Sequence, residues 1–383
     1  MHIEERKDLF RKSGSRSNPY RIMALLVIIV GLVAVLRGYA QGEIWPPLVP
    51  TPTPTRTVNS FVIEAETHFQ AGNLEKSIES YQKALILEPN NADVMRELAR
   101  IMVYSSATLT TDADRRVRLE DALVVMDTAK ELEPDNPDVL AMRALVLNWL
   151  GDEVLRPADW EDLQAQGESE ALMALQLDSQ NIWAMTYYTE ILTQQFKWVQ
   201  AQEYMRQALA LGIELMDVYR VEGNLNEMLG AYPRAIDSYK KAIELAPNLT
   251  FLYNRVGVYY RHLQQYEVAL EYFDKAASLN TQLGIRDPLP YMYIANTYIR
   301  MGEAMIASRN AYRALELSPY NADTYGRVGV IYYMARNYEG SELLLECAVE
   351  GCDPIKSCVA REIENCVDQV VISSLPLSDT TVV

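Results

Sequence analysis

An all-α solenoid of about eight helix-turn-helix units, preceded by a single N-terminal transmembrane helix, is the fold class this sequence predicts. Three observations carry it. A small residue recurs with a fixed period, glycine and proline punctuate the chain in phase with that period, and one uncharged apolar stretch lies near the amino end. No convincing run of period-two strands interrupts the helical pattern, and at 383 residues with 49% hydrophobic content the chain can bury a long core.

Residues 1–21 form a basic tail holding Arg6, Lys7, Arg11, Lys12, Arg16 and Arg21. Ile22 to Leu36 then carries no charge, flanked by Tyr20 on one side and by Arg37, Tyr39 and Trp45 on the other. Spanning a bilayer takes about 20 apolar residues, so the segment 22–42 reads as a transmembrane helix or signal anchor extended by its flanks. Only Arg37 and Arg56 follow within the next 20 residues, so the positive-inside rule keeps the N-terminus cytoplasmic and puts everything after the helix on the extracytoplasmic side. Gly38-Tyr39-Ala40 also has the small-x-small form of a signal-peptidase site, which leaves cleavage open beside retention. Both outcomes deliver the rest of the chain to the same side.

Residues 43–57 are a Pro/Thr-rich linker, in which Pro46, Pro47, Pro50, Pro52 and Pro54 hold the chain near polyproline II at about 3 Å per residue. The charge changes sign across it. The first 56 residues carry eight Lys/Arg against four Asp/Glu, whereas the whole chain has a net charge of −17, leaving −21 on the remainder. Such a surface repels phosphate backbones and anionic head groups, which argues against nucleic acid as a partner and against a solenoid hugging the membrane.

The repeats occupy 58–355. Ala84, Ala129, Ala174, Ala208, Ala242, Ala276, Ala314 and Ala348 are spaced by 45, 45, 34, 34, 34, 38 and 34 residues, and a small residue stands seven positions before each, from Ser77 to Ser341. Two helical turns separate each pair, so both members lie on one face where a missing side chain admits a neighbouring helix. A further small residue precedes the alanine by 19 positions in six units, at Ala65, Thr189, Gly223, Gly257, Ala295 and Gly329; Ala99 and Ala144 match in the other two if about eleven residues are inserted between the helices. Each unit thus reads as helix A, a turn often carrying glycine (Gly72, Gly151, Gly230, Gly302), helix B with an aromatic such as Tyr81, Tyr239 or Phe273, and a breaker at Pro89, Pro134, Pro247 or Pro319. This pattern resembles the tetratricopeptide repeat. The resemblance implies a right-handed superhelix whose concave wall is lined by the A helices and whose activity is binding.

Residues 356–383 are expected to supply a capping helix and a flexible tail, since a repeat array needs a polar cap on its last helix. All four cysteines sit at this end: Cys347, Cys352, Cys358 and Cys366. They form no Cys-x-x-Cys pair and no histidine accompanies them, so disulfides are the better account than zinc, with three pairings open.

No catalytic constellation, phosphate loop or metal motif stands out, so neither an enzyme nor a cofactor is expected. The tyrosines at helical spacing, among them Tyr187, Tyr253, Tyr260, Tyr298, Tyr332 and Tyr338, read as wedges between helices. Carrying the family's register over places Arg220 and Asn224 on the inner wall of the fifth unit, Asn254, Arg255 and His262 in the sixth, and Asn296 and Arg300 in the seventh. Arginine forks and amides on such a wall suit an extended peptide. The expectation is a non-enzymatic, membrane-anchored scaffold for protein or peptide partners. Its alternatives are an organelle-surface receptor with cytosolic repeats recognising peptide tails, or a subunit docking a separate enzyme.

Overall fold

The structure, a computed structural model, describes residues 18–40, 56–109, 111–152, 160–319 and 321–351. The linker, the expected C-terminal cap and Cys352, Cys358 and Cys366 lie outside those residues, as does most of the basic tail. Among the described residues there are seventeen helices and no strand. They divide into two compact units, 1–56 and 57–383.

The first unit holds α1 (Pro19–Ala40), whose start is capped by the Asn18 side chain accepting from the Tyr20 N–H at 3.1 Å. Its apolar side chains point outward on every side, with no face turned inward. Pro19–Gly38 is long and apolar enough to cross a membrane, a test that a signal sequence near the N-terminus also passes.

The second unit is eight antiparallel helix pairs: α2 (Val58–Gln70) with α3 (Leu74–Leu87), α4 (Ala92–Ser106) with α5 (Asp112–Leu132), α6 (Pro137–Leu150) with α7 (Trp160–Leu177), and α8 (Ile182–Gln194) with α9 (Trp198–Ala210). The series continues with α10 (Met216–Met228) and α11 (Tyr232–Leu245), α12 (Thr250–His262) and α13 (Tyr266–Leu283), α14 (Leu289–Met301) and α15 (Ala304–Leu317), and α16 (Ala322–Met334) and α17 (Tyr338–Glu350). Part of the extra length of the second unit is helix, since α5 runs for 21 residues.

Missing side chains set the distance between paired helices. A Cβ built on Gly223 would lie 2.6 Å from the Tyr239 ring, and one on Gly257 would lie 2.5 Å from the Phe273 ring. Each aromatic of helix B therefore rests on bare backbone of helix A, and both rings are buried. Ser77 goes further and donates to the Ala65 carbonyl at 2.8 Å, as Ser341 does to the Gly329 carbonyl at 2.9 Å, contacts that require the helices almost to touch. On α2 the buried ring is that of Phe69, beside the half-buried His68.

The junctions between units repeat one device. After Pro89, Pro134 and Pro319 the asparagine two residues on, Asn91, Asn136 or Asn321, accepts backbone N–H groups at the start of the next helix A. The fifth junction departs from it. There Asn248 directly follows Pro247, no side chain caps α12, and the Asn248 amide instead donates to the Gln70 carbonyl at 2.7 Å, 178 residues earlier. Beside that bond Gly72 adopts φ +79, and a Cβ on it would strike the Asn248 carbonyl oxygen at 2.4 Å. The turn of the first repeat thus docks on the junction of the fifth and sixth repeats.

This closure brings distant charges together inside the ring. Asp217, at the start of α10 and 1% exposed, accepts from Tyr104 of α4, from Tyr187 of α8 at 3.0 Å and from Arg100 of α4 at 3.1 Å. Burial raises the phenol pKa of both tyrosines, so they stay protonated donors. The Arg100 guanidinium lies 5.0 Å over the Phe69 ring and 5.7 Å over Trp183, so the knot reaches from α2 to α10. Tyr187 is therefore a hub ligand rather than a wedge, and Tyr338 is exposed against Tyr333 rather than wedged. One continuous apolar cluster runs from Ala65 to Tyr259 around this knot, and a second holds Met292 to Cys347.

Two glycines of the A helices separate the packing effect from intrinsic helix propensity. Gly257→Ala should destabilise the fold by about 1–3 kcal/mol through overpacking against Phe273. Gly326→Ala, whose Cβ would meet the Ala348 Cβ at an ordinary 3.5 Å, should instead stabilise it by up to about 1 kcal/mol; urea unfolding of both variants checks the opposite signs. A second prediction concerns Asp287, buried in the loop before α14, where burial raises its pKa to about 6 against the pull of the Leu289 N–H, the Asn280 amide and Arg115. A carboxyl raised in the folded state binds its proton there to higher pH than in the unfolded chain, so stability should fall as pH rises from about 4 to about 6 and level off above. Urea midpoints across that window should lose this slope in Asp287→Asn.

Asp217→Ala should cost about 1–3 kcal/mol, because the buried Tyr104 and Tyr187 hydroxyls lose their acceptor while Arg100 keeps Glu97 at 2.9 Å. Calorimetric unfolding measures it.

Candidate functional site

The inner wall of the second unit divides into two stretches. From α4 through α6 and α8 to α10 the A helices pack side by side, and the wall is filled by its own side chains. Arg220, expected to face a peptide, belongs to this stretch. It is 5% exposed, its two terminal nitrogens donate to the two Glu190 carboxylate oxygens at 2.7 Å each, and its guanidinium lies 5.5 Å from the rings of Tyr104 and Trp149. Burial works against its charge, but Glu190 more than offsets this and holds its pKa well above the ordinary value. The fork is committed to closing the ring and is not open to a ligand carboxylate. Asn224, one turn on, is half-buried.

From α12 onward the A helices meet more loosely, and two of the cations on them, Arg261 and Arg300, stand without an acid. Asn254 is buried with its Oδ1 unpaired, and Arg255 is exposed with its guanidinium 4.0 Å from Glu227, a carboxylate that already accepts from Tyr259. His262 is exposed and stacks on Tyr232 with ring centres 5.4 Å apart. Asn296 is half-buried on α14 and Arg300 is exposed one turn beyond it. The structure brings Asn254, Arg255, His262, Asn296 and Arg300 onto two successive A helices, and separates them in role from Arg220.

Arg261 is the residue that sequence register underrated. Its guanidinium is held 5.7 Å over the Phe273 ring and 5.6 Å over the Tyr293 ring, and its one hydrogen bond is a long 3.5 Å donation to the Tyr293 carbonyl. Burial first, and the Arg300 charge second, pull its pKa below the ordinary value. Neither Arg261 nor Arg300 forms an ion pair among the described residues. Two guanidiniums that repel one another on a half-buried wall make a place where an anion would be stabilised. The sequence signal was Arg261 itself, adjacent to His262, but nothing local revealed that the Arg300 charge one repeat on would act on it.

Comparisons with known proteins agree with this architecture. A sequence profile of the tetratricopeptide repeat matches residues 59–91 and 252–282. No curated protein matches the chain in sequence. Among solved structures, the APC/C hetero-tetramer Cut9-Hcn1 aligns with a TM-score of 0.55 at 13% identity, covering 83% of this chain and 56% of that one. The human IFIT1 dimer with PPP-AAAA aligns at 0.51 and 15% identity, covering 84% of each chain. A tetratricopeptide repeat protein from Parabacteroides merdae aligns at 0.42 and 15% identity, over 73% of this chain and 99% of that one. The chain thus carries tetratricopeptide repeats, matched in sequence at 59–91 and 252–282, within a solenoid of eight small-residue-nested helix pairs, and an N-terminal apolar helix as candidate anchor.

Proposed function

We propose that this protein is a non-enzymatic, membrane-anchored scaffold that holds an acidic segment of a protein partner on the inner wall of its sixth to eighth repeats. One observation carries the reading: Arg261, held over the Phe273 and Tyr293 rings on the wall that also carries Arg300, forms no ion pair among the described residues and neither does Arg300, in a chain whose net charge is −17. An acidic peptide laid along α12 and α14 would relieve the repulsion between them, and Arg255, Asn254 and Asn296 stand ready for its backbone and flanking acids. Arg220 is no part of this site. The human IFIT1 structure contains PPP-AAAA, but at 15% identity the likeness reaches the fold alone, and the carboxylate excess of the solenoid opposes a phosphate backbone.

The same reading retains α1 as an anchor with the amino end cytoplasmic and the repeats outside, supported by the six cations before it and the uncharged Ile22–Leu36. Pairing among Cys347, Cys352, Cys358 and Cys366 belongs to it as well, since the repeats would then lie outside the reducing cytoplasm. Protease protection in intact cells tests the sidedness, with digestion of the repeats only after the membrane is breached on the cytoplasmic reading and before it on ours.

For the groove, a glutamate-rich peptide should bind the full-length protein with an affinity that falls as salt rises. Arg261→Glu with Arg300→Glu should weaken that binding at least tenfold while leaving the helical content unchanged. Equal binding of the double variant, or tighter binding of an oligonucleotide than of the peptide, would remove the proposal.

A further inference from the structure

The tight side-by-side packing of the A helices runs from α4 to α10 and stops between α10 and α12. On the inner wall, the start of α12 is held instead by the far side of the ring. Asn248 donates to the Gln70 carbonyl at 2.7 Å, and the Phe251 ring stacks on Tyr104 of α4 with centres 5.8 Å apart and planes 20° from parallel. The other end of the helix is fixed separately. Tyr259 donates to Glu227 at the end of α10, and Arg255 stands 4.0 Å from the same carboxylate. Thus α12 is pinned at its C-terminal end to the repeat before it and at its N-terminal end to repeats one and two.

Two observations mark the N-terminal contact as the one that parts. The first is its width. It consists of that hydrogen bond, that ring stack and the approach of the Gly72 backbone, where a Cβ would meet the Asn248 carbonyl oxygen at 2.4 Å and the Leu283 side chain at 3.0 Å. The second is unmet hydrogen bonding. Asn254 lies one turn beyond Phe251 on the same face of α12, is 6% exposed, and leaves its Oδ1 without a partner. Trp149, edge-on to Tyr104 with centres 6.1 Å apart, leaves its buried indole N–H without one as well. A buried amide oxygen or N–H that bonds to nothing weighs against the form that buries it. The closed ring carries that cost, and a ring in which the start of α12 leaves α4 does not, because water or a ligand then reaches both groups.

We propose that this seam is an autoinhibitory latch on the groove for an acidic segment. Closed, α4 covers the first turn of the α12 wall, and only its later part, with Arg255, Arg261 and His262, stands clear. Open, with α12 pivoting on the bond between Tyr259 and Glu227, Phe251 and Asn254 join that wall. An extended acidic segment then gains an amide for its backbone and an aromatic face in line with the arginines. The knot around Asp217 stays shut throughout, because it ties α4 and α8 to α10 and none of its hydrogen-bonding members lies on α12. A ligand that binds the open ring better shifts the ring toward it, and by the same linkage opening the ring raises the ligand's affinity. The latch presupposes the peptide groove and adds its regulation.

A single added carbon tests it. Gly72→Ala sets a Cβ against the Asn248 carbonyl, whereas Gly212→Ala carries the same left-handed strain, at φ +68, with nothing within 4 Å of its Cβ. Asn248→Ala removes the bond to Gln70 without strain. In the full-length chain, with azide-coupled spin labels at the exposed positions 76 and 282 of α3 and α13, the distance across the seam should widen in Gly72→Ala and in Asn248→Ala. A glutamate-rich peptide should bind both at least about fivefold more tightly than it binds the native chain, and Gly212→Ala should change neither reading. Saturating peptide should widen the distance in the native chain too. Peptide bound no more tightly by the widened chains than by the native one overturns the latch and leaves the groove standing, as does a distance that neither the substitutions nor the peptide moves. Failure of the peptide to bind any form, widened ones included, overturns the groove and the latch with it.

Discussion

Everything in the solenoid follows from how closely two helices approach when one of them lacks side chains at the contact. Gly223 under Tyr239 and Gly257 under Phe273 let a ring lie on the backbone, and Ser77 and Ser341 bond directly to carbonyls of the facing helix. Close pairing of this kind fixes the hairpin, the hairpin fixes the rotation from one repeat to the next, and that rotation decides whether the array stays open or meets itself. Here it meets itself, and the contact between Asn248 and Gln70 is the result.

The pairing was legible in the sequence because it is local. Small residues seven and nineteen positions from an alanine lie within one hairpin, so helical periodicity alone places them on a shared face. The ring closure was not legible, since Arg100 and Asp217 are 117 residues apart and neither carries a local sign of the other. Arg220 was expected on the inner wall for the same local reason, and the structure buries it against Glu190 with its fork occupied. Register locates a side chain on a face but does not say that Glu190, one repeat earlier, will occupy its fork. The shift of one position between Pro247-Asn248 and the other proline junctions was visible, and in retrospect it marked the asparagine that does not cap its own helix.

Closure also changes what kind of object the repeats are. An open array is stabilised by nearest-neighbour interfaces and its ends fray independently. A buried charged knot touching α2, α4, α8 and α10 couples repeats that share no interface in the linear stack, because removing Asp217 takes the acceptor from Tyr104 and Tyr187 and one of two carboxylates from Arg100. Repeats seven and eight lie outside the knot, in their own apolar cluster, and keep the nearest-neighbour character.

That division tells where ligands can act. A wall already filled with paired charges has nothing to offer an incoming peptide, since any new contact would have to displace Glu190 or Asp217 from arginines held more tightly than a mobile chain could hold them. The surface left with unmet demand is the one the ring does not consume, the wall of α12 and α14, where guanidiniums outnumber acids and an incoming negative charge would be stabilised.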